Sequence, residues 1–300
     1  MKRVIITGAN GFLGRNLVNH ITDFDVDHVR LLDIHPTDTD PISTLSYDQF
    51  VVDLANDSLA QHIDSEDVVI HLAWRSNPAV TGSDVDAEMA LNWNASKNVI
   101  ALCASKNAKL IFISSGGTVY GTPSYLPIDE SHPTKPISAY GQVKLKVEDA
   151  IREASEKKGL RYVILRPSNL YGPGFSLKKG LGVIGHWVEM IKTNKAIQMV
   201  GEGELVRDFI HIDDLCKGIL SCLRLENETL NMGAGKGTSL NELSSIFEKL
   251  IKRPLEIDHL ESRGFDVKTN VLSIKKIQQL ADWSPSISLE QGISQLLEAD

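Results

Sequence analysis

The chain has 300 residues, 42% hydrophobic and 23% charged, with a formal net charge of −8. That length buries a sizeable core in one large domain or two small ones, and the composition is that of an ordinary globular protein. The acidic balance, without any basic run, argues against a nucleic-acid partner, and no apolar run reaches the ~20 residues a bilayer span needs.

The first predicted strand, 4–7, runs into Gly8-Ala9-Asn10-Gly11-Phe12-Leu13-Gly14 and a helix over 13–22. A strand, glycine turn and helix in that order present backbone N–H groups and a helix N-terminus to a pyrophosphate. Gly8 makes the tight turn, Gly11 clears the approach of the diphosphate, and Gly14 lets the helix pack close to the sheet. The spacing is G-x-x-G-x-x-G, not the G-x-G-x-x-G of the commonest dehydrogenases. A second strand, 29–33, ends in Asp33, 19 residues past Gly14. A carboxylate there accepts both ribose hydroxyls of NAD and repels the 2′-phosphate of NADP. The competing reading is an ordinary βα turn followed by a solvated Asp.

Further apolar strands are predicted at 50–54, 68–72, 110–114 and 162–166, with helices at 84–106 and 140–157. This alternation points to an α/β protein, a Rossmann-type doubly wound parallel sheet covered on both faces. Ligands in such sheets bind at the carboxyl ends of the strands. Asp33, Asp53, Ser114, Ser115 and Asn169 stand there. After Arg166 the chain turns rich in Gly and Pro, then reads as helical over 213–225 and as a returning strand over 228–231. The expected organisation is a dinucleotide-binding domain over 1–170, rejoined by about 209–231. Residues 171–208 and 232–300 would form a smaller, interleaved α/β substrate lobe.

Met1-Lys2-Arg3 leads directly into a strand cut by Gly8, so no signal peptide is expected. The three cysteines, Cys103, Cys216 and Cys222, fall in helical segments and read as buried thiols of a reduced, cytoplasmic protein. No Cys/His cluster has metal spacing, so no metal is expected; His71 and His211 read as satisfied structural histidines.

Tyr140 and Lys144 stand four apart at the start of a helix, on one face. A neighbouring ammonium favours the phenolate, drawing a tyrosine down from ~10 towards neutrality. Such a tyrosine exchanges a proton with a carbinol while hydride is transferred, and the lysine can also bond a nicotinamide ribose. Alone, the pair reads as a solvated helix face; with the glycine turn upstream and the serine-bearing strand end before it, it reads as chemistry.

The glycine turn, His71-Leu72-Ala73, Ser114-Ser115-Gly116-Gly117-Thr118-Val119-Tyr120-Gly121, Tyr140-Gly141-Gln142-Val143-Lys144 and Arg207-Asp208-Phe209-Ile210-His211 together resemble an extended short-chain dehydrogenase/reductase. Within that group the chain is similar to the NAD-dependent nucleotide-sugar epimerase/dehydratase family. The likeness extends to the tail, through Arg263-Gly264-Phe265-Asp266-Val267 and Leu280 to Pro285. It implies NAD held by Gly8, Gly11, Phe12, Leu13 and Gly14, with Asp33 on the adenosine ribose and Asp53 and Leu54 bordering the adenine. Leu72, Ala73 and Trp74 would line the diphosphate and ribose; Asn92, Ser114, Tyr140, Lys144 and Pro167 would meet the nicotinamide side. Asn169, Arg207 and Arg263 match the family's substrate-binding positions, the arginines as planar forks for a diphosphate. A homodimer through helices 84–106 and 140–157 is also implied.

Two departures carry information. The family places Ser or Thr where this chain has Gly116, so the part of the hydroxyl that assists Tyr140 falls to Ser115, to Thr118 reaching back, or to a water. Sugar-nucleotide 4,6-dehydratases carry Asp-Glu at the positions of Gly117 and Thr118, and their absence argues against dehydration. Ala95-Ser96 replaces the usual Gly-Thr, a packing variation, and Asn270 replaces an Asp. The resemblance thus implies a nucleotide-sugar 4-epimerase acting on a UDP-hexose or UDP-N-acetylhexosamine with resident NAD. The alternatives are an NAD(P)H-dependent nucleotide-sugar 4-ketoreductase or dehydrogenase, and a non-catalytic dinucleotide-binding protein.

Overall fold

Val68-Val69-Ile70-His71 and Lys109-Leu110-Ile111-Phe112-Ile113 are buried at every position, as strands covered on both faces must be. They are the centre of the sheet in a computed structural model that describes residues 3–36, 45–76, 82–174, 182–261 and 267–299. In chain order the strands are β1 Arg3–Thr7, β2 His28–Asp33, β3 Ser46–Val51, β4 Val68–His71, β5 Lys109–Ile113, β6 Tyr162–Pro167 and β7 Asn169–Tyr171. They continue with β8 Ile197–Val200, β9 Val206–His211, β10 Glu228–Met232, β11 Gly237–Ser239, β12 Ile257–Leu260 and β13 Thr269–Asn270. The α-helices are α1 Phe12–His20, α2 Val85–Lys106, α3 Ala139–Lys158, α4 Val183–Lys192, α5 Ile212–Ser221, α6 Leu240–Ile251, α7 Lys275–Ala281 and α8 Leu289–Glu298.

Seven strands form one sheet in the order β10-β6-β5-β4-β1-β2-β3, with every pairing parallel. The winding reverses between β1 and β4, so the crevice beyond their carboxyl ends is the switch point. Side chains alternate between the two faces. Ile6, Ile70 and Ile111 meet Leu17 of α1 and Ile219 of α5, whereas Ile5, Val69 and Phe112 meet Val99 of α2 and Val147 of α3. A third core, with Trp187, Ile197, Phe247 and Ile293, sits among α4, β8, α6 and α8. The α/β doubly wound expectation is met.

Helix starts are fixed by side chains. Asp84 accepts the Ala87 N–H at 2.9 Å to open α2, and Ser138 accepts the Gly141 N–H at 3.2 Å to open α3. Such caps are worth about 1 kcal/mol each, and the second sets Tyr140 and Lys144 in the first turns of α3.

Three expectations move. The strand predicted at 50–54 is β3 at Ser46–Val51; as an edge strand it exposes most of its side chains, and the apolar Val52 and Leu54 are buried only after the chain has left the sheet. The helix predicted at 213–225 ends at Ser221 and tightens into a 3₁₀ turn over Cys222–Arg224. The segment after Arg166 holds more strand than was read: β11-β9-β13 with β7 on β9, and β12 on β8. Strands of two to six residues are too short to show a period.

Candidate active site

Gly8 has φ +72°, and a Cβ there would lie 2.7 Å from Ala73 Cα and N, so β1 turns directly against the end of β4. The close approach at Gly14 is to the turn itself, where a Cβ would sit 2.5 Å from Gly8 O, and not to the sheet. Gly11 is the exposed N-cap of α1, and Phe12 and Leu13 follow in its first turn, where backbone N–H groups face out of the helix end. Asp33 is aimed by two backbone donors, Asn10 N–H at 2.9 Å and His35 N–H at 3.2 Å. The buried Asn10 Oδ1 has no protein partner. A turn that any side chain would fill, a helix N-terminus, an aimed carboxylate and an orphaned amide oxygen together fit a dinucleotide.

Along the crevice, Asp53 accepts from Ala55 N–H and Asn56 and pairs with Arg75 at 3.4 Å; these bonds hold its carboxyl below the usual range. Leu54 is buried beside it. Leu72 N–H donates to Thr7 O at 3.1 Å and Ala73 N–H to Thr7 Oγ1 at 3.4 Å, fixing the segment after β4. His71 bonds Thr7 Oγ1 through Nδ1 and Ser96 Oγ through Nε2. Burial pushes it down to about 3, so it is a neutral structural histidine, and Ser96 has the definite task of satisfying it.

Lys144 is 4% exposed, and its Nζ donates to Ile113 O at 2.7 Å and lies 3.5 Å from the centre of the Trp74 ring. Burial lowers it to about 7, against the opposing charges of Glu88 and Glu148. Tyr140 stands edge-on to Trp74 at 5.8 Å. The expected lowering of its phenol is not found in the protein alone. Burial pushes Tyr140 up, Glu88 pushes the same way, and the lysine that was to oppose them is itself held down by burial.

The Asn92 amide is committed to protein: Oδ1 takes Arg75 N–H at 2.8 Å, and Nδ2 donates to Glu88 Oε1 at 2.8 Å and Ser76 Oγ at 3.1 Å. Ser114 Oγ donates to Glu148 at 2.5 Å. Glu148 also receives Arg166 through Nε at 3.0 Å and Nη2 at 2.6 Å, while Arg166 Nη1 reaches the Tyr120 hydroxyl at 2.8 Å. Both partners of that ion pair are buried, and it underlies the end of β5.

The structure explains Gly116. A Cβ there would meet Leu272 Cδ1 at 2.6 Å and Arg166 O at 2.8 Å, so a serine does not fit. The buried Thr118 Oγ1 has no protein partner. At Gly117 the nearest atoms to an added Cβ, Asn169 Oδ1 and Ser115 Oγ, are 3.9 Å away, leaving room between these two polar side chains. Pro167 O accepts the Gly116 N–H at 2.8 Å, and Asn270 donates to Gly116 O at 3.2 Å.

Beyond Asn169 opens a pocket of about 450 Å³, lined among others by Arg207, His186, Gln198, Val200 and Leu260. Asn169 Nδ2 is steadied by Asp208 O at 3.0 Å, and Arg207 by Val206 O at 2.9 Å. Arg263 lies outside the described residues. Among the described residues no group of three or more His, Cys, Asp or Glu is placed to hold a metal. Sequence reasoning missed Glu88 and Arg75. A glutamate four residues before Asn92, and so on the same helix face, was the available signal for Glu88.

Residues 4–233 match the family described as the NAD dependent epimerase/dehydratase family. The chain is 33% identical over 298 residues to a putative UDP-glucose 4-epimerase of Methanocaldococcus jannaschii, covering 98% of this chain and 97% of that one. Its structure resembles a UDP-glucose 4-epimerase of Thermotoga maritima solved with UDP-glucose, with TM-score 0.89, 25% identity and coverage of 99% and 97% of the two chains. A UDP-glucuronic acid 4-epimerase of Bacillus cereus, solved with UDP-glucuronic acid and NAD, superposes with TM-score 0.87 at 25% identity, covering 99% and 98%.

Proposed function

The chain belongs to the NAD dependent epimerase/dehydratase family, and on that premise we propose that it is a nucleotide-sugar 4-epimerase acting on a UDP-hexose or UDP-N-acetylhexosamine. The observation that carries this reading is the Tyr140–Lys144 pair on α3, packed on Trp74 directly after Ala73, the residue against which the Gly8 turn closes, in a chain that also bears a pocket lined by Asn169 and Arg207.

NAD would be held by Gly8, Gly11, Gly14, the N–H groups of Phe12 and Leu13, and Asp33; when bound it supplies a reversible hydride acceptor and a positive ring that favours the Tyr140 phenolate. Asp53 and Leu54 border its adenine, Leu72 and Ala73 its diphosphate and ribose, and Lys144 and Pro167 its nicotinamide side. Tyr140 takes the proton from the sugar O4 and returns it after the sugar has turned. Lys144, fixed by Ile113 O and the Trp74 ring, keeps cationic charge beside that phenol. Thr118, a buried hydroxyl without a protein partner, assists at O4, with Ser115 beside it. Arg207, aided by Arg263, holds the diphosphate as a planar fork, and Asn169 orients the sugar. Gly and Thr at positions 117 and 118, in place of two carboxylates, argue against elimination of a C6 hydroxyl.

The proposal includes a homodimer through α2 and α3, supported by Leu91, 37% exposed on α2. A cytoplasmic site of action is supported by three buried, unpaired cysteines; no helix among the described residues is long and apolar enough to cross a membrane. The test is proton NMR of purified protein with UDP-glucose, UDP-galactose and their N-acetyl counterparts, adding no cofactor. Conversion to the 4-epimer beyond one turnover per enzyme is expected, and Tyr140→Phe abolishes it while retaining bound cofactor. Consumption of added NADH by a 4-keto nucleotide sugar, with no epimerisation, would make the protein a ketoreductase.

A further inference from the structure

Trp74 is the hinge of a small, tightly bonded group behind the proposed acid–base pair. Its indole N–H donates to Glu88 Oε1 at 2.8 Å. The same oxygen takes Ser76 Oγ at 2.6 Å and Asn92 Nδ2 at 2.8 Å. Asn92 in turn takes the Arg75 N–H at 2.8 Å. One carboxylate on α2 therefore ties down the segment 74–76 where the chain leaves β4. The indole it holds has the Lys144 ammonium 3.5 Å from its centre and the Tyr140 ring edge-on at 5.8 Å. Rotating the indole would break its bond to Glu88 and withdraw the surface under both residues.

Glu88 is 0% exposed. Burying a carboxylate costs several kcal/mol unless donors and charges compensate. Its donors Trp74, Ser76 and Asn92 are neutral and converge on one oxygen, which a glutamine also offers. What a glutamine lacks is negative charge next to Lys144 and Tyr140.

We propose that Glu88 is a positioning residue for the reaction: through Trp74 it fixes the surface on which Lys144 and Tyr140 rest, and it sets a negative charge beside both. The inference rests on Tyr140 and Lys144 being the acid–base pair. The titratable groups facing Lys144 are Glu88 from α2, Glu148 and Tyr140 from α3, and His71 from β4. His71 is neutral, and Glu148 is engaged by Arg166 and Arg152. Glu88 favours the charged lysine and the protonated tyrosine, raising both groups together.

Glu88→Gln keeps the size and the acceptor oxygen and removes the charge. Both limbs of its pH profile for epimerisation should move to lower pH, by about one unit, with KM for the UDP-sugar and bound cofactor unchanged. Trp74→Phe keeps the charge and removes the clamp. It should lower kcat by about tenfold with little displacement of the pH profile. A Glu88→Gln profile superimposed on that of the wild type overturns the inference. Should Glu88→Gln fail to fold, Trp74→Phe decides alone, and an unchanged kcat in that variant overturns it. Wild-type turnover by Tyr140→Phe would instead remove the catalytic assignment beneath the inference.

Discussion

Gly116→Ser restores the hydroxyl that the family carries at this position, and the structure says it should harm the protein. An added Cβ lies 2.6 Å from Leu272 Cδ1 and 2.8 Å from Arg166 O. Leu272 is wholly buried in a cluster with Val119, Tyr120 and Ile128, so its side chain has little room to withdraw. Arg166 O belongs to the backbone of β6 and cannot withdraw either. Overpacking of this kind costs about 1–3 kcal/mol. Shifting residue 116 also weakens its bonds to Pro167 O at 2.8 Å and Asn270 Nδ2 at 3.2 Å, each worth about 1 kcal/mol. A destabilisation of about 2–4 kcal/mol follows, or a fall in Tm of roughly 3–6 °C in a chain of this length, with kcat reduced. Gly117→Ala is the control: the nearest atoms are 3.9 Å away, and its stability should stay within about 0.5 kcal/mol of wild type. Thermal melts and epimerisation rates of both variants make the test. A Gly116→Ser protein with wild-type Tm and raised kcat would refute the steric reasoning and the assignment of the assisting hydroxyl to Thr118.

Thr118→Val removes a buried hydroxyl that has no protein partner; Tm should hold or rise slightly while kcat falls by about 10–100-fold, and full kcat would pass the role to Ser115. Burial alone would raise the Glu148 carboxyl, but the bonds and charge of Arg166 outweigh it and hold the group below its ordinary 4.5. The unfolded chain therefore binds that proton more readily, so the stabilisation is complete above about 4.5 and is lost as pH falls through the folded value. Urea titrations should show Glu148→Gln less stable than wild type at pH 7 and the gap narrowing as pH falls below the ordinary carboxyl range; a constant gap contradicts the pairing. Asp33→Asn loses a charge-assisted acceptor for a ribose, worth about 1.5–3 kcal/mol, and calorimetry should find NAD bound roughly 10–100-fold more weakly.

The parts of the site that were legible are those whose chemistry is local along the chain. A strand, a glycine turn and a helix follow one another without interruption, and Tyr140 and Lys144 share a helix face by spacing alone. Asp33 needed only the end of the next strand. The rest depends on contacts between distant segments. Trp74 meets Glu88 fourteen residues further on, in the first turn of α2, and Gly116 is explained by Leu272, which nothing nearby in sequence announces. The sign of the Tyr140 shift was misread because burial cannot be seen in a four-residue spacing, and burial outweighs the lysine. Strand β3 was displaced because an exposed edge lacks the apolar run that marks a central strand.

The central claim is that C4 of one sugar is oxidised and reduced within a single binding event. Incubating the enzyme with UDP-glucose carrying deuterium at C4, mixed with an unlabelled UDP-sugar in ordinary water, tests it most directly. The account predicts that the 4-epimer keeps its deuterium at C4, with none passed to the second sugar or to solvent. Loss of deuterium to water, or its appearance on the unlabelled sugar, would contradict it.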